Sequence, residues 1–323
     1  DLEILLRTAG FADSSVNHDV PAVAARLPGL TARTKVVAVA LASVVVCAAL
    51  AVAWPADTRW RQALLAMIAG ALAANAVATA PADGHTLVVL TAIALSINPT
   101  LFKQLPYDPD DFIPISLYAK SPFILVVNPQ LQANTVPEFI KLAKASNPPL
   151  SYASIGNGSL QHMSMEFAKQ RFGFEATHVP YRSTSQLATD LVAGHVAASF
   201  NEAGLSIPLV KEGKLRALAV TAAQRLPLLP DTPPFAEAAG VPDYEGVSWH
   251  MLLAPAKTPR PIADRLHDEM ARIVADPEVH EKIASIGLIP NPPMSIEEMQ
   301  RYIKAERVKW GGMVKQLGLE GSQ

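Results

Sequence analysis

The sequence predicts an α/β protein. From about residue 85 onward, short runs rich in aliphatic and β-branched residues alternate with amphipathic stretches of roughly 10 to 20 residues, a pattern typical of mostly parallel sheets flanked by helices. The chain of 323 residues is long enough for one large or two ordinary domains with a sizeable core.

The predicted strands are nearly continuous in Val, Leu, Ile and Ala, as expected for strands that are covered on both faces. They span residues 85–91, 123–128, 150–154, 177–181, 196–201, 215–221 and 249–254.

Helix signals lie between and after these strands. Thr135 is followed three residues later by Glu138, and Ser295 by Glu298, so each pair predicts a capping box at a helix start. Asp276 and the following proline open a further predicted helix, and Gly287 lies where a left-handed C-terminal cap is expected.

Composition excludes several classes of function. Lys and Arg total 27 against 29 Asp and Glu, which gives a net charge of -2, so no excess of positive charge is available to neutralise a phosphate backbone, and we expect no nucleic-acid partner. The only cysteine, Cys47, excludes an internal disulfide and a Cys-rich metal site. Because 50% of the residues are hydrophobic, the chain is not expected to be disordered.

The N-terminal part has the pattern of an export signal. Residues 36–54 contain no charged side chain, and Ala51 and Ala53 form an A-x-A pattern near their end. We therefore interpret residues 1–56 as an extension plus a signal-peptide-like segment, with the mature chain starting near Trp54 or Asp57. The alternative is an uncleaved membrane anchor, because such a run is long enough to cross a bilayer.

The sequence contains no strong catalytic motif. Zinc-binding HExxH, Walker A and GxGxxG patterns are absent, and the segment Gly156–Ser159 lacks the final glycine of a GxSxG nucleophile elbow. A hydrolase that uses Ser159 and His162, three residues apart on one helical face, is the enzyme alternative. We expect a non-catalytic protein without a cofactor or a metal.

The segment Ser154–Ser159 is the main candidate for ligand binding, because it lies directly after a predicted strand and before a predicted helix. The first N–H groups of a helix lack backbone partners and carry partial positive charge, so they can hold a carboxylate without a basic side chain. Gly156 and Gly158 would allow close approach of the backbone to a ligand. An ordinary turn with Ser159 as N-cap explains the same pattern.

Two further loops have the same character. Thr91 and Ala92, with Ser96 nearby, follow the predicted strand 85–91, and a polar run at 182–185 follows the predicted strand 177–181. In a parallel sheet the loops at the carboxyl ends of strands gather at one edge, which is the usual ligand crevice.

Several ordered segments match a known family. They are PADGHTL (81–87), INP (97–99), LPYDP (105–109), YAS (152–154), GNGS (156–159), HVPY (178–181), GKLRALAVT (213–221), LPDTP (229–233), LAP (253–255) and ADPE (275–278). On these segments the chain resembles, from residue 68 to about residue 319, the periplasmic substrate-binding receptors of tripartite tricarboxylate transporters, the Bug-type receptors.

The resemblance implies a two-lobed clamshell of the periplasmic-binding-protein type (type II-like), with a ligand cleft between the domains. We predict that residues 57–120 and 224–323 form lobe 1 and that residues 121–223 form lobe 2, with crossings near Lys120 and Gln224.

The resemblance also implies a function and a set of site residues. Receptors of this family bind small carboxylates and deliver them to an inner-membrane permease, so the expected partners are an organic acid and the permease subunits of a tripartite tricarboxylate transporter. The implied ligand-binding residues are Thr91 and Ala92 in lobe 1, with Asn157, Gly158, Ser159, His162, Tyr181 and Asn201 in lobe 2.

Three features depart from the family pattern. The family's first strand and its Pro- and Gly-rich loop have no counterpart, because the signal-like segment runs almost directly into residues 59–80. Asn201-Glu202 stands where the family usually has Asp-Asn, and Ala92 stands where a hydroxyl residue is frequent. These departures leave open an alternative, a defective or repurposed clamshell that acts as a membrane-associated sensory or interaction module.

Overall fold

The computed structural model describes residues 70–242 and 244–323. The strands in this part of the chain are β1 (Val88–Thr91), β2 (Phe112–Ser121), β3 (Phe123–Val127), β4 (Leu150–Ser154), β5 (Ala176–Pro180), β6 (Ala198–Glu202), β7 (Arg216–Val220), β8 (Ser248–Pro255) and β9 (Ile289–Pro290). The helices are α1 (70–78), α2 (Asn98–Leu101), α3 (Val136–Ala145), α4 (Leu160–Phe172), α5 (Thr184–Val192), α6 (Ala203–Lys211), α7 (Phe235–Ala239), α8 (Arg260–Val274), α9 (Pro277–Ser285) and α10 (Ile296–Gln316).

The strands form two sheets. The first has the order β1-β8-β2-β9 and the second the order β5-β4-β6-β3-β7. We call the first sheet with α1, α2, α8, α9 and α10 the first lobe, and the second sheet with α3 to α7 the second lobe, because these helices pack on the respective sheets. The predicted α/β class and the two-lobed architecture are confirmed.

Strand direction differs from the prediction. Every pairing in the first sheet is antiparallel, so the prediction of mostly parallel sheets is wrong for this sheet. In the second sheet β4 pairs parallel with β5 and β6, whereas β3 pairs antiparallel with β6 and β7. A strand covered on both faces is apolar in either direction, and the sequence pattern therefore did not separate the two arrangements.

The predicted helix starts are present, with one difference. At α10 the Ser295 side chain accepts the Glu298 N–H at 3.2 Å, and the Glu298 carboxylate accepts the Ser295 N–H at 2.8 Å, which completes the capping box. At α3, Thr135 accepts the Glu138 N–H at 3.3 Å, but the Glu138 carboxylate bonds to the N–H of Asn134 instead of Thr135.

The chain passes from the first sheet to the second at Pro122, between β2 and β3. The predicted crossing near Lys120 lies close to this point. After Gln224, the site of the predicted return, the chain still packs with the second lobe, because α7 contacts α3 and β7 and Val220 pairs with Pro234. The chain enters the first sheet at Ser248.

One apolar core cluster joins the two lobes. Leu101 of α2 and Trp310 of α10 belong to the same buried cluster as Leu160 of α4 and Phe200 of β6, and all four side chains are fully buried. The two lobes are therefore packed against each other in this structure.

A buried carboxylate lies near the return to the first lobe. Glu306 of α10 accepts hydrogen bonds from the indole N–H groups of Trp310 at 2.8 Å and Trp249 at 3.2 Å, and from Lys309 Nζ at 3.2 Å. Lys309 also donates to the carbonyl oxygen of Glu245 at 2.8 Å. These bonds tie α10 to the segment that leads into β8.

Replacing Glu306 with Leu should destabilise the fold by about 2–4 kcal/mol, because two buried indole N–H groups lose their acceptor. Glu306→Gln retains one side-chain oxygen as acceptor and should cost clearly less. Urea unfolding followed by tryptophan fluorescence measures both free energies. Equal values for Leu and Gln would contradict this role of the carboxylate.

Candidate functional site

The carboxyl ends of β4, β5 and β6 share one edge of the second sheet, because these strands run parallel. Phe123, the first residue of β3, pairs with Glu202 at this same edge. Since the chain arrives from the first lobe at Phe123, the edge adjoins the first lobe, and we call it the interlobe edge.

The segment Ser154–Ser159 lies at the interlobe edge and leads into α4. Ser159 is the N-cap of α4, since its hydroxyl accepts the His162 N–H at 3.3 Å and donates to the Gly156 carbonyl at 2.7 Å. Gly156 and Gly158 have φ values of 122° and 76°, which residues with a side chain rarely adopt. The sequence predicted either an ordinary turn with Ser159 as N-cap or an anion-binding helix N-terminus, and this segment has the geometry of both.

Most polar hydrogens of the segment are bonded within the second lobe. The Gly156 N–H donates to Ser154 Oγ at 3.0 Å, and the Gly158 N–H donates to His162 Nδ1 at 3.3 Å. The N–H groups of Leu160 and Gln161, in the first turn of α4, have no partner among the described residues. These two N–H groups can receive an anion.

Gly158 faces the first lobe, but a ligand cannot approach it directly. A Cβ atom placed at Gly158 would lie 2.4 Å from Leu101 Cδ2. We predicted that Gly158 lets the backbone approach a ligand, whereas in this packing the missing side chain makes room for Leu101. The first turn of α4 is also buried in this packing, since Leu160 and Gln161 are 0% and 1% exposed.

The remaining predicted residues lie in different environments. Ser159 and His162 are buried, Tyr181 is 8% exposed directly after β5, and Asn157 is exposed. In the first lobe, Thr91 is half-buried opposite His250 of β8, and Ala92 is buried at the start of a π-helical turn. The structure brings the second-lobe residues to the interlobe edge, with the Asn157 side chain turned toward solvent.

Asn201 is the most informative of the predicted residues. Its side chain is 0% exposed at the end of β6, and neither its Oδ1 nor its Nδ2 has a partner among the described residues. An amide buried in this way costs free energy unless another group bonds to it. Asn201 can both donate to a carboxylate and accept from a hydroxyl group.

Sequence analysis missed Gln161 as a site residue. Its side chain is 1% exposed, and Nε2 has no partner among the described residues. Gln161 stands two positions after the N-cap Ser159, so its place in the first turn of α4 was available as a signal. Ser96 of the first lobe and Ser206 of α6 also have fully buried hydroxyl groups without a partner in the described part of the chain.

The other helix starts at the interlobe edge differ in their access. At α5 the predicted polar run is present, and Ser183 caps the helix by accepting the Gln186 N–H at 3.2 Å. At α6 the first-lobe turn at Gly287 lies against Gly204, since a Cβ at Gly287 would lie 2.9 Å from the Gly204 nitrogen. The Ala203 N–H at the start of α6 also donates to the Pro122 carbonyl at 3.1 Å, whereas two N–H groups of α4 have no partner among the described residues, so α4 is the better candidate for an anion.

Burial controls the charge of the titratable groups around the site. The pKa of His162 lies below its usual value because the ring is desolvated. Burial also raises the pKa of Glu202, which follows Asn201. A raised pKa favours the neutral carboxylic acid, so the repulsion between Glu202 and a bound anion weakens as the pH falls.

The geometry does not match a serine hydrolase. The Ser159 hydroxyl donates to the Gly156 carbonyl, and Nδ1 of His162 accepts from the Gly158 N–H. A nucleophile needs a hydrogen bond to its base, and the described residues show none between the Ser159 hydroxyl and the His162 ring.

A groove of about 550 Å³ lies on the first lobe, lined by residues between Pro99 and Asp111. A smaller cavity of about 130 Å³ lies beside the start of α5, lined by Tyr181, Arg182 and Gln186 among others. Only the smaller cavity adjoins the interlobe edge.

Comparison with known proteins identifies the family. A family model described as "Tripartite tricarboxylate transporter family receptor" matches residues 66–319. The chain belongs to this receptor family. Among curated relatives, the UPF0065 protein in the tcbD-tcbE intergenic region of Pseudomonas sp. (strain P51) is 32% identical over 79% of this chain and 75% of the relative. Protein BugT of Bordetella pertussis is 28% identical over 77% of this chain and 76% of its own length.

Several solved structures share the fold. "R. palustris Rpa4515 with adipate" has a TM-score of 0.70 and 35% identity, over 77% of this chain and 83% of that one. MatC from Rhodopseudomonas palustris with bound malate has a TM-score of 0.65 and 29% identity, over 76% and 84% of the two chains. The periplasmic binding protein BugD has a TM-score of 0.67 at 27% identity, over 77% and 84%. The predicted Bug-type family and clamshell fold are confirmed.

The predicted signal-like segment at 36–54 lies outside the described residues. Within the described ranges, none of the receptor's helices combines the length and the apolar character needed to cross a bilayer.

Gly158→Ala should destabilise the receptor by more than Gly173→Ala. Both glycines have positive φ, 76° and 66°, but only at Gly158 would the new Cβ meet a neighbour, Leu101. Each variant should carry a backbone cost of about 1 kcal/mol, and Gly158→Ala an additional cost from the clash.

Urea unfolding of both single variants, and of Gly158→Ala combined with Leu101→Ala, measures this difference. The excess cost should shrink in the Leu101→Ala background, because the clashing side chain is absent. An excess that is unchanged there would show that Gly158 does not make this interlobe contact.

Proposed function

We propose that this chain is an extracytoplasmic solute receptor that binds a small organic acid between its lobes and presents it to the permease of a tripartite tricarboxylate transporter. A single observation carries the proposal: the unpartnered N–H groups at the start of α4 and the unpartnered, fully buried Asn201 amide lie at the same sheet edge. Relatives of the same family bind adipate and malate in their solved structures.

The chemistry of the site favours a carboxylate. The N–H groups of Leu160 and Gln161 point out of a helix of 13 residues, whose N-terminus carries a partial positive charge of roughly half an elementary charge. The Gln161 and Asn201 amides add neutral donors and acceptors. Such a site holds an anion by hydrogen bonds and dipoles.

Lobe closure follows from the position of the site. Polar groups on α4 and β6 lie at the edge that adjoins the first lobe, and Leu101 of the first lobe packs against Gly158. A ligand held here is covered when the lobes meet, so it stabilises the closed arrangement in proportion to its preference for that state.

Calorimetric titration of the purified protein with adipate, malate and citrate tests the proposal directly. We expect saturable binding of at least one acid and no binding of its neutral diamide, because the site recognises the negative charge. A folded protein that binds no acid would overturn the proposal and would favour the alternative of a repurposed interaction module.

Asn201→Leu should change stability and affinity in opposite directions. Leu has nearly the same size and removes two buried polar atoms without partners, so the melting temperature without ligand should rise or stay unchanged. The affinity for the acid should fall about 10-fold or more, which corresponds to about 1.4 kcal/mol or more.

Asn128→Leu is the matched control. Asn128 is 6% exposed, and its amide is fully bonded, donating to Leu191 and Val192 and accepting from the Gln130 N–H. This variant should lower the melting temperature and leave the affinity of the folded protein unchanged. If Asn201→Leu also destabilised the fold and kept full affinity, Asn201 would be a structural residue and not part of the site.

A further inference from the structure

A stack of three rings lies beneath the segment Ser154–Ser159. Tyr152 of β4 stacks on His178 of β5 with ring centroids 4.9 Å apart, and His178 lies 4.5 Å from the ring of His162 on α4. We call Tyr152, His178 and His162 the ring stack. The proposed function uses neither histidine ring as a ligand contact.

Each histidine bonds to one point of the segment. His178 Nε2 lies 2.6 Å from Ser154 Oγ, and the Gly156 N–H donates to the same Ser154 oxygen at 3.0 Å. His162 Nδ1 accepts the Gly158 N–H at 3.3 Å. The ring stack therefore holds Ser154 and Gly158, on both sides of the bend at Gly156.

The bond between Gly158 and His162 requires a neutral His162 ring. A protonated His162 has no lone pair on Nδ1 with which to accept the Gly158 N–H. The Ser154 hydroxyl can donate to the Gly156 carbonyl at 3.2 Å, and His178 Nε2 lies 2.6 Å from the same oxygen, so the His178 contact can form with either atom as the donor. Protonation of His162 therefore removes its contact with Gly158, whereas the contact between His178 and Ser154 can persist.

The surroundings keep the rings neutral at pH 7. Desolvation by burial lowers the pKa of both histidines, that of His178 to about 4, and His162 lowers it further. Two charges face the rings from α4: the Lys169 ammonium, which disfavours protonation, and the Glu166 carboxylate, which favours it. The Glu166 carboxylate is bound by Lys169 at 2.8 Å and by the Tyr152 hydroxyl at 2.5 Å.

We propose that His162 and His178 are positioning residues of the acid-binding site: they fix the segment Ser154–Ser159 so that the free N–H groups of Leu160 and Gln161 face the ligand. The inference rests on the proposed function. It gives His162 a role different from the direct ligand contact that the family resemblance implies, because His162 acts through Gly158.

Substitutions that keep or remove the acceptor at His162 Nδ1 distinguish a positioning role from a direct contact with the acid. The Asn side-chain oxygen can take the place of Nδ1, so His162→Asn should keep the affinity for the acid within about threefold, whereas His162→Leu should lose about 10-fold or more.

The same comparison applies to His178. The Gln side-chain amide can replace Nε2, so His178→Gln should bind the acid more tightly than His178→Leu. His195→Leu is the matched control, since the His195 side chain is 70% exposed in the same lobe, and its affinity should equal that of the wild type.

The pH profile is the readout that a purely structural role would not move. Because the acid itself is protonated near pH 4–5 in every variant, the quantity to compare is the ratio of the wild-type affinity to that of His162→Asn. We expect this ratio to be constant from pH 8 to 6 and to fall below about pH 5, as His162 gains a proton and the segment loses its bond at Gly158. The affinity of His162→Asn should then follow only the protonation of the acid. A direct contact between the His162 ring and the acid predicts the reverse, with tighter binding at low pH and equal losses for Asn and Leu, and that result would overturn the proposal.

Amide hydrogen exchange distinguishes failure of this inference from failure of the proposed function. In the unliganded protein, the Gly158 N–H should exchange slowly in the wild type and in His162→Asn, and at least about 10-fold faster in His162→Leu. If no acid binds, the proposed function fails while this measurement still tests the positioning role. Equal exchange rates in all three proteins would overturn it.

Discussion

Two backbone N–H groups at the start of α4, those of Leu160 and Gln161, are the constraint on which the proposed site depends. They lack partners among the described residues because a helix cannot satisfy its own first turn. Several neighbours in the segment are bonded: Gly156 to Ser154, Gly158 to His162, and Ser159 as the cap. In the proposed function, these two donors on a fixed segment are where the anion binds.

The two lobes contact each other beside the start of α4. Leu101 fits against Gly158 because a glycine leaves the space, and the turn at Gly287 covers the start of α6 at Gly204 in a similar way. Both contacts join first-lobe residues to the interlobe edge of the second sheet. The buried Glu306, bonded to Trp249 and Trp310, holds α10 beside the segment where the chain returns to the first lobe. The proposed ligand site and these lobe contacts therefore lie at the same edge of the second sheet.

Much of the fold was predictable because local signals and the final structure agree. Each predicted strand corresponds to an observed one, and the residues at Ser295 and Asp276 begin helices as their capping patterns require. Strand direction was not predictable, since a buried strand is apolar in both orientations. β2 was missed because its Pro114 and Lys120 interrupt the apolar pattern, although most of its side chains are buried.

For the candidate site, the sequence indicates a position but not the contacts within it. The glycine and hydroxyl pattern of Ser154–Ser159 located the start of α4, and the family resemblance pointed to Asn201. The sequence did not reveal that Gly158 accommodates Leu101, or that His162 accepts a hydrogen bond from Gly158, because both contacts depend on the packing of elements distant in the chain or on ring orientation. Gln161 was missed because a glutamine in a helix is usually a solvated residue, whereas here it is buried.

The most direct measurement is the amide proton and nitrogen chemical shift of Leu160 and Gln161 during titration of the isotopically labelled protein with a dicarboxylic acid. The account predicts that both amide protons move downfield and saturate with the same dissociation constant as calorimetry, while the Gly158 amide, bonded to His162, moves little. If the acid binds and the Leu160 and Gln161 amides do not respond, the helix start is not the anion site.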